Sequence, residues 1–274
     1  MTERIEAFDC HVHAGLAEPA DALTPPPIEA LARRLSAAGV SQAVIFAPNL
    51  RGGYRVANDE VLRIAAADPA RWVPFLRMRS ARPHPFGRRR RWLKRLGFDA
   101  TAGTDEYAAS ELATLLASGG FRGVKLNLAA DGMPAGDSLD LLARDRVPVL
   151  LHTGEGIDRG EVEEEFLRRG IPTILAHMGT YPLRRREAAG WLALLEKYPN
   201  AYVDTAGVFF GHVLQEACRR FPLRVLFGTD APAFDPCVGR AAIDALDLDD
   251  AARERVLRGN LRDLLSQNPT ERHR

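Results

Sequence analysis

The sequence predicts a parallel α/β fold, closed as a single-domain (β/α)8 barrel that spans residues 1–274. Three observations carry this expectation. Eight strand candidates alternate with helical segments at roughly 25–30 residue spacing, the pattern of βα units. Several strand candidates are near-continuous apolar runs, as strands covered on both faces are. Polar residues stand at the C-terminal ends of strands 1, 4, 5, 6 and 8, the rim where such a barrel gathers its catalytic groups. A doubly wound open sheet is the alternative that βα alternation also allows. The chain's 274 residues suit one barrel of this kind, which takes about 250.

Strand 1 runs from Ile5 through Phe8 to Asp9-Cys10-His11-Val12-His13. Simple alternation puts Asp9, His11 and His13 on one face and Cys10 and Val12 on the other, with Cys10 packing outward against a helix. Thr24-Pro25-Pro26-Pro27 leads into a helix with Ile28, Leu31, Leu35 and Ala38 at helical spacing, and Gly39 closes it. Ser41–Phe46 reads as strand 2, residues 55–67 as a helix, and Arg71–Leu76 as strand 3.

The alternation then breaks. From Arg77 to Arg95 there are eight arginines, one lysine and no acid, including the run Arg88-Arg89-Arg90-Arg91. Residues 77–104 are therefore read as an insertion after strand 3. It is either a solvated basic loop or a rim that attracts anions, and nucleic-acid binding is a distant third because the rest of the chain lacks a basic face.

A helix from Asp105 to about Ser118 restores the pattern. Strand 4 is Phe121–Leu126, followed by a short helix from Leu139 to Arg144. Val147–His152 is strand 5, Glu161–Arg169 a helix, and Ile171–His177 strand 6. Arg184–Tyr198 is a helix, Ala201–Asp204 strand 7, Val213–Phe221 a helix, and Leu223–Gly228 strand 8. Val238–Leu265 holds two or three short helices, with a break at Asp247-Leu248-Asp249.

The composition excludes several classes. Formal net charge is +1, with no global bias toward nucleic acid or acidic membranes. Three dispersed cysteines, Cys10, Cys218 and Cys237, argue against a disulfide framework and for a reducing compartment. No run approaches the roughly 18 apolar residues of a membrane span. The expectation is a cytoplasmic protein acting on a small molecule, with no membrane or nucleic-acid partner and with a homodimer left open.

The chemistry concentrates at the strand ends: His11 and His13, Lys125, His152, His177 and Asp230. Four imidazoles and a carboxylate at one rim are the donor set of a divalent metal, and protonated histidines crowded there would repel one another. Asp9 is either a supporting carboxylate or a residue of the barrel floor. Arg51, Arg77, Arg79 and Asn127 follow strands 2, 3 and 4 and are candidates to contact an anionic substrate; Asn49 and Asp204 fit turn chemistry equally well. Tyr181, Phe209 and Phe210 either wall a pocket or simply pack.

Asp-Cys-His-Val-His at 9–13, Gly-Val-Lys-Leu at 123–126, His-Thr-Gly at 152–154, His-Met-Gly at 177–179 and Gly-Thr-Asp-Ala-Pro at 228–232 together resemble the amidohydrolase superfamily. The resemblance is to its branch of small TIM-barrel hydrolases and aminocarboxymuconate-semialdehyde-type decarboxylases. It spans nearly the whole chain, and Arg258–Leu264 looks like that branch's closing helix. The resemblance implies His11, His13, His152 and Asp230 as metal ligands, with Zn the first choice and Mn or Fe as alternatives. It implies Asp230 as general base and acid toward metal-activated water, and His177 as the catalytic group that polarises substrate or orients water. Lys125 has three readings: a carboxylated bridge between two metals, which would make His177 a ligand of the second; a bystander beside one metal; or a cation that binds a substrate carboxylate. The implied activity is hydrolysis of a small amide, ester or lactone. Nonoxidative decarboxylation of a small acid is the alternative, and a catalytically silent barrel a further one that the complete ligand set argues against.

Overall fold

The computed structural model describes residues 5–16, 25–50, 52–80 and 106–267. Its strands are β1 (Ala7–His13), β2 (Val40–Phe46), β3 (Trp72–Arg77), β4 (Gly123–Leu126), β5 (Val149–Leu151), β6 (Thr173–Leu175), β7 (Ala201–Asp204) and β8 (Val225–Leu226). All seven neighbouring pairs are parallel, in the order β1 to β8. The two-residue β8 does not ladder with β1. The seam is closed instead by single bonds from the segment that follows it, Cys10 N to Phe227 O at 2.8 Å and His13 N to Ala231 O at 2.8 Å. The expected (β/α)8 barrel is the observed architecture.

The helices are α1 (Ile28–Ala37), α2 (Arg55–Ala67), α3 (Ala109–Ala117), α4 (Leu128–Asp131), α5 (Gly136–Arg144), α6 (Arg159–Val162), α7 (Ala188–Lys197), α8 (Gly211–Arg220), α9 (Pro236–Asp244), α10 (Asp250–Glu254) and α11 (Asn260–Ser266). The expected helix from Glu161 is α6 prolonged by a π turn over Glu163–Leu167, and a 3-10 turn over Arg185–Glu187 precedes α7. The start of α9 shows the local logic. Asp235 accepts from Cys237 N at 2.8 Å, and Pro236 occupies the first turn, where its missing N–H costs nothing.

Two apolar layers follow from the strand alternation. Ala43, Ile45, Val124, Leu126, Val149, Leu151, Leu175 and Val203 face outward into a shell with helix residues such as Leu35, Val61, Leu142 and Trp191. Phe8, Val44, Phe46, Phe75, Leu150, Ile174 and Leu226 fill the barrel, and Leu261, Leu264 and Leu265 of α11 pack against them. Each fully buried aliphatic or Phe side chain is worth about 1.5–3 kcal/mol.

Strand β1 departs from simple alternation. Asp9 lies opposite Ala43 while Val12 lies opposite Ile45, so three steps on β1 match two on β2. Such a bulge re-aims side chains. Cys10 consequently packs inside the barrel with Phe8, Phe46 and Phe75, not outward against a helix. His11 and His13 both sit against Phe46, with ring centroids 5.4 and 4.7 Å away. The insertion expected over 77–104 lies outside the described residues from residue 81 onward, as do Arg51 and Arg88–Arg91. No helix among the described residues is long and apolar enough to cross a membrane.

Candidate metal centre and active site

The strand ends bring His11, His13, Lys125, His177, Asp204 and Asp230 together at one buried rim, each less than one-tenth exposed. His11 is held from behind. Its Nδ1 lies 2.7 Å from Asp204 Oδ2, and an ionised carboxylate can only accept, so Nδ1 carries the proton and Nε2 the lone pair. That Nε2 lies 3.3 Å from Asp230 Oδ1, and His13 Nε2 lies 3.1 Å from the same oxygen. His11, His13 and Asp230 thus present two imidazole nitrogens and a carboxylate oxygen within 4.8 Å of one another. His13 Nδ1 is buried without a hydrogen-bond partner among the described residues, so this ring can offer either nitrogen.

A second group, His11, His177 and Asp204, also meets the spacing for a metal. Its carboxylate is already committed, however. Asp204 Oδ1 accepts from His177 N at 2.6 Å and Ala206 N at 3.2 Å, while Oδ2 takes His11. Asp204 therefore orients the His11 ring and the backbone of His177 more than it offers a coordinating oxygen. Carboxylate support behind a ligating histidine is the common arrangement in metal sites. The first group fits a divalent ion such as zinc or manganese by donor chemistry: neutral nitrogens and one anionic oxygen.

The electrostatics agree. Burial pushes the imidazoles of His11, His13 and His152 below the usual histidine range, with Lys125 adding to this, so the rings stay neutral. Burial alone would raise Asp230, but the neighbouring imidazoles and the bond to His13 outweigh it and hold the carboxyl below its ordinary range. Asp204 is pushed up to about 6 and Asp9 to about 7, in both cases mainly by burial. Burial and the positive charge of Arg77 bring Lys125 down to about 8.

His152 belongs to neither group. It stands one imidazole further on, its Nδ1 3.1 Å from Nε2 of His177. His177 Nδ1 donates to Ala206 O at 2.9 Å, which leaves its Nε2 to accept from His152. The ring of Tyr181 lies against both, at 4.9 and 5.1 Å. His177 and Asp230 both have left-handed backbones, each with φ of 60°. Such conformations cost about 1–3 kcal/mol and persist only where the surroundings hold them.

The candidate anion-binding residues divide. Lys125 Nζ reaches His11 Nε2 at 3.3 Å and stands 4.9 Å over Phe46. Arg77 is engaged internally: Nε donates to Asp131 Oδ2 at 3.2 Å, Nη1 to Ala47 O at 3.1 Å, and its guanidinium stacks on Tyr54. Arg79 donates to Leu50 O. Asn127 caps α4, accepting from Ala129 N at 3.2 Å. Asp131 and Thr229 were not singled out from the sequence as site residues, and Asp204 was read as a substrate contact or a turn residue, not as the partner of His11. The signal for Asp204 was only its place at the end of β7, which turn chemistry also explains.

The amidohydrolase family model matches residues 8–266. No curated protein matches the sequence. Among solved structures, an uncharacterised TIM-barrel protein from Bordetella bronchiseptica superposes with a TM-score of 0.67 at 19% identity, covering 96% of this chain and 99% of that one. A dihydroxybenzoic acid decarboxylase from Polaromonas sp. JS666, with bound manganese and the inhibitor 2-nitroresorcinol, gives 0.66 at 17% identity over 98% and 99%. A probable 2-pyrone-4,6-dicarboxylic acid hydrolase from Acinetobacter baumannii, with citric acid bound, gives 0.64 at 16% over 95% and 99%. At these identities the likeness shows the fold.

Proposed function

The chain belongs to the amidohydrolase family, and from that premise we propose that it is a metal-dependent hydrolase of a small-molecule amide, ester or lactone that carries an anionic group. The observation that carries this reading is the convergence of His11 Nε2 and His13 Nε2 on Asp230 Oδ1. A divalent ion held by these atoms, zinc in the first instance, would act as a Lewis acid on the group under attack and lower the pKa of water beside it.

The protein's own residues supply the rest. Asp230 Oδ2 makes no hydrogen bond to a described residue, and the side chain is 8% exposed at the rim. An ionised carboxylate so placed takes a proton from the attacking water at Oδ2 and returns it to the leaving group. His177 and His152 form a bonded pair with a fixed tautomer, which leaves Nε2 of His152 as a free lone pair, able to accept a hydrogen bond from water or to serve as a further metal donor. Lys125 places a buried cation beside His11, suited to a substrate carboxylate. The three cysteines are thiols, two of them buried, which suits the cytoplasm.

A second reading is nonoxidative decarboxylation. The manganese-containing Polaromonas decarboxylase favours it, and so does the same lysine, which would hold the departing carboxylate. Metal-stripped protein reloaded with Zn or Mn and offered 2-pyrone-4,6-dicarboxylate and dihydroxybenzoates separates the two. Ring opening without CO2 supports hydrolysis, and CO2 release supports decarboxylation. Failure to bind either ion would sink both.

A further inference from the structure

We propose that Asp9 and Thr229 form a clamp that sets the spacing between the two arms of the metal centre, His11 and His13 on β1 and Asp230 after β8. Both are positioning residues. The inference rests on the reading of His11, His13 and Asp230 as ligands.

Asp9 is fully buried, and its hydrogen bonds go to backbone and to Thr229, not to either imidazole. Its Oδ1 accepts from His11 N at 2.9 Å and from Thr229 N at 3.0 Å, and its Oδ2 accepts from Thr229 Oγ1 at 2.5 Å. Thr229 Oγ1 in turn accepts from Ala231 N at 3.2 Å. One carboxylate therefore ties the backbone at the first ligand of β1 to the residue immediately before Asp230. The hydroxyl it grips ties down the residue immediately after.

The tie acts at the seam where β8 itself does not pair with β1. β8 ends at Leu226, and beyond it the chain meets β1 through isolated bonds, including Asp230 N to His11 O at 2.9 Å. Asp230 sits in the left-handed region, a conformation its neighbours must hold. Gly228 lets the two strands close up, since a Cβ there would stand 3.1 Å from His11 Cβ and 3.2 Å from Cys10 Sγ. Metal coordination tolerates errors of about 0.2 Å in ligand distance. A seam that relaxes by a few tenths of an ångström moves Asp230 away from both imidazoles.

The test compares Thr229→Val, which removes the hydroxyl at nearly constant volume, with Thr229→Ser, which keeps it. Affinity for Mn2+ and Zn2+ is measured by chelator competition on folded protein, alongside melting curves with and without metal. The expected result is a loss of about 10–100-fold in affinity for Thr229→Val, with Thr229→Ser within about threefold of the wild type. Asp9→Asn, which keeps only one carbonyl acceptor, carries the comparison if Thr229→Val does not fold. Wild-type affinity in a folded Thr229→Val, with only its melting temperature lowered, overturns the clamp and leaves the metal reading intact. A wild-type protein that binds neither ion removes both.

Discussion

Asp204 Oδ2 stands 2.7 Å from Nδ1 of His11, and that contact turns Nε2 of the same ring toward Asp230. The carboxylate chooses the tautomer. In Asp204→Asn the amide can donate to Nδ1 and drive the proton onto Nε2, where it blocks the lone pair. Affinity for Zn2+ or Mn2+ should fall about 10–100-fold, the range for loss of such support. Chelator competition reads this directly, and an unchanged constant would show that Asp204 does not set the ring.

Arg77 and Asp131 form a fully buried ion pair joining the ends of β3 and α4. Asp131 also accepts from Tyr54 Oη at 2.6 Å and Asn127 N at 2.9 Å. Asp131→Ala strips the buried guanidinium of its counter-ion and should cost about 3–5 kcal/mol. Urea denaturation measures it. Replacing both partners, as Arg77→Met with Asp131→Leu, should recover much of the loss, because no charge is then left without its partner. A single variant as stable as the wild type would mean that water reaches Arg77 freely.

The barrel was legible because its signal is local. Apolar runs such as Val147–Leu151 and Ile171–Leu175 can be read without knowing what covers them. His11, His13 and Asp230 were legible because each lies in a short motif at a strand end. Two things were not. The β1 bulge leaves no mark in Asp9–His13, since the same residues at simple alternation would look identical; only the register against Ala43 and Ile45 reveals it. Asp204 and Thr229 act across 193 and 220 residues of chain, on His11 and Asp9. In sequence an Asp after Ala-Tyr-Val and a Thr after Gly are ordinary turn residues. Arg77 shows the converse: a cation at a strand end looked available for substrate, and the fold uses its donors on Asp131 and Ala47.

Lys125 gives the metal-free protein a pH signature. Its folded value of about 8 lies below the ordinary 10.5, chiefly because burial disfavours the charged form. Between these two values the unfolded chain holds the proton more tightly, so stability rises with pH across that window. Above 10.5 the lysine is neutral in both states, and below 8 the penalty is in full force. Lys125→Met should abolish the rise and stabilise the metal-free protein at pH 7 by about 3 kcal/mol. Denaturation series at about pH 7 and about pH 10 check both limbs. A wild-type curve flat over that interval, matching the variant, would place the lysine in contact with solvent or with an anion.

Gly179 follows His177 and Met178 through the left-handed turn that carries β6 into the site, with φ of 69°. A Cβ there would stand 1.8 Å from Cδ1 of Trp191, a buried side chain of α7. Gly179→Ala therefore combines backbone strain of about 1–2 kcal/mol with overpacking of about 1–3 kcal/mol. It should lose the sum, about 2–5 kcal/mol, and displace the His177–His152 pair. Gly156 is the control: its φ is also positive, 81°, but a Cβ there would meet no atom within 4 Å. Gly156→Ala should show the strain alone, about 1–2 kcal/mol. Equal melting temperatures for the two variants would mean that Trp191 yields without cost, and the tight packing of α7 against the β6 turn could then not be what fixes His177.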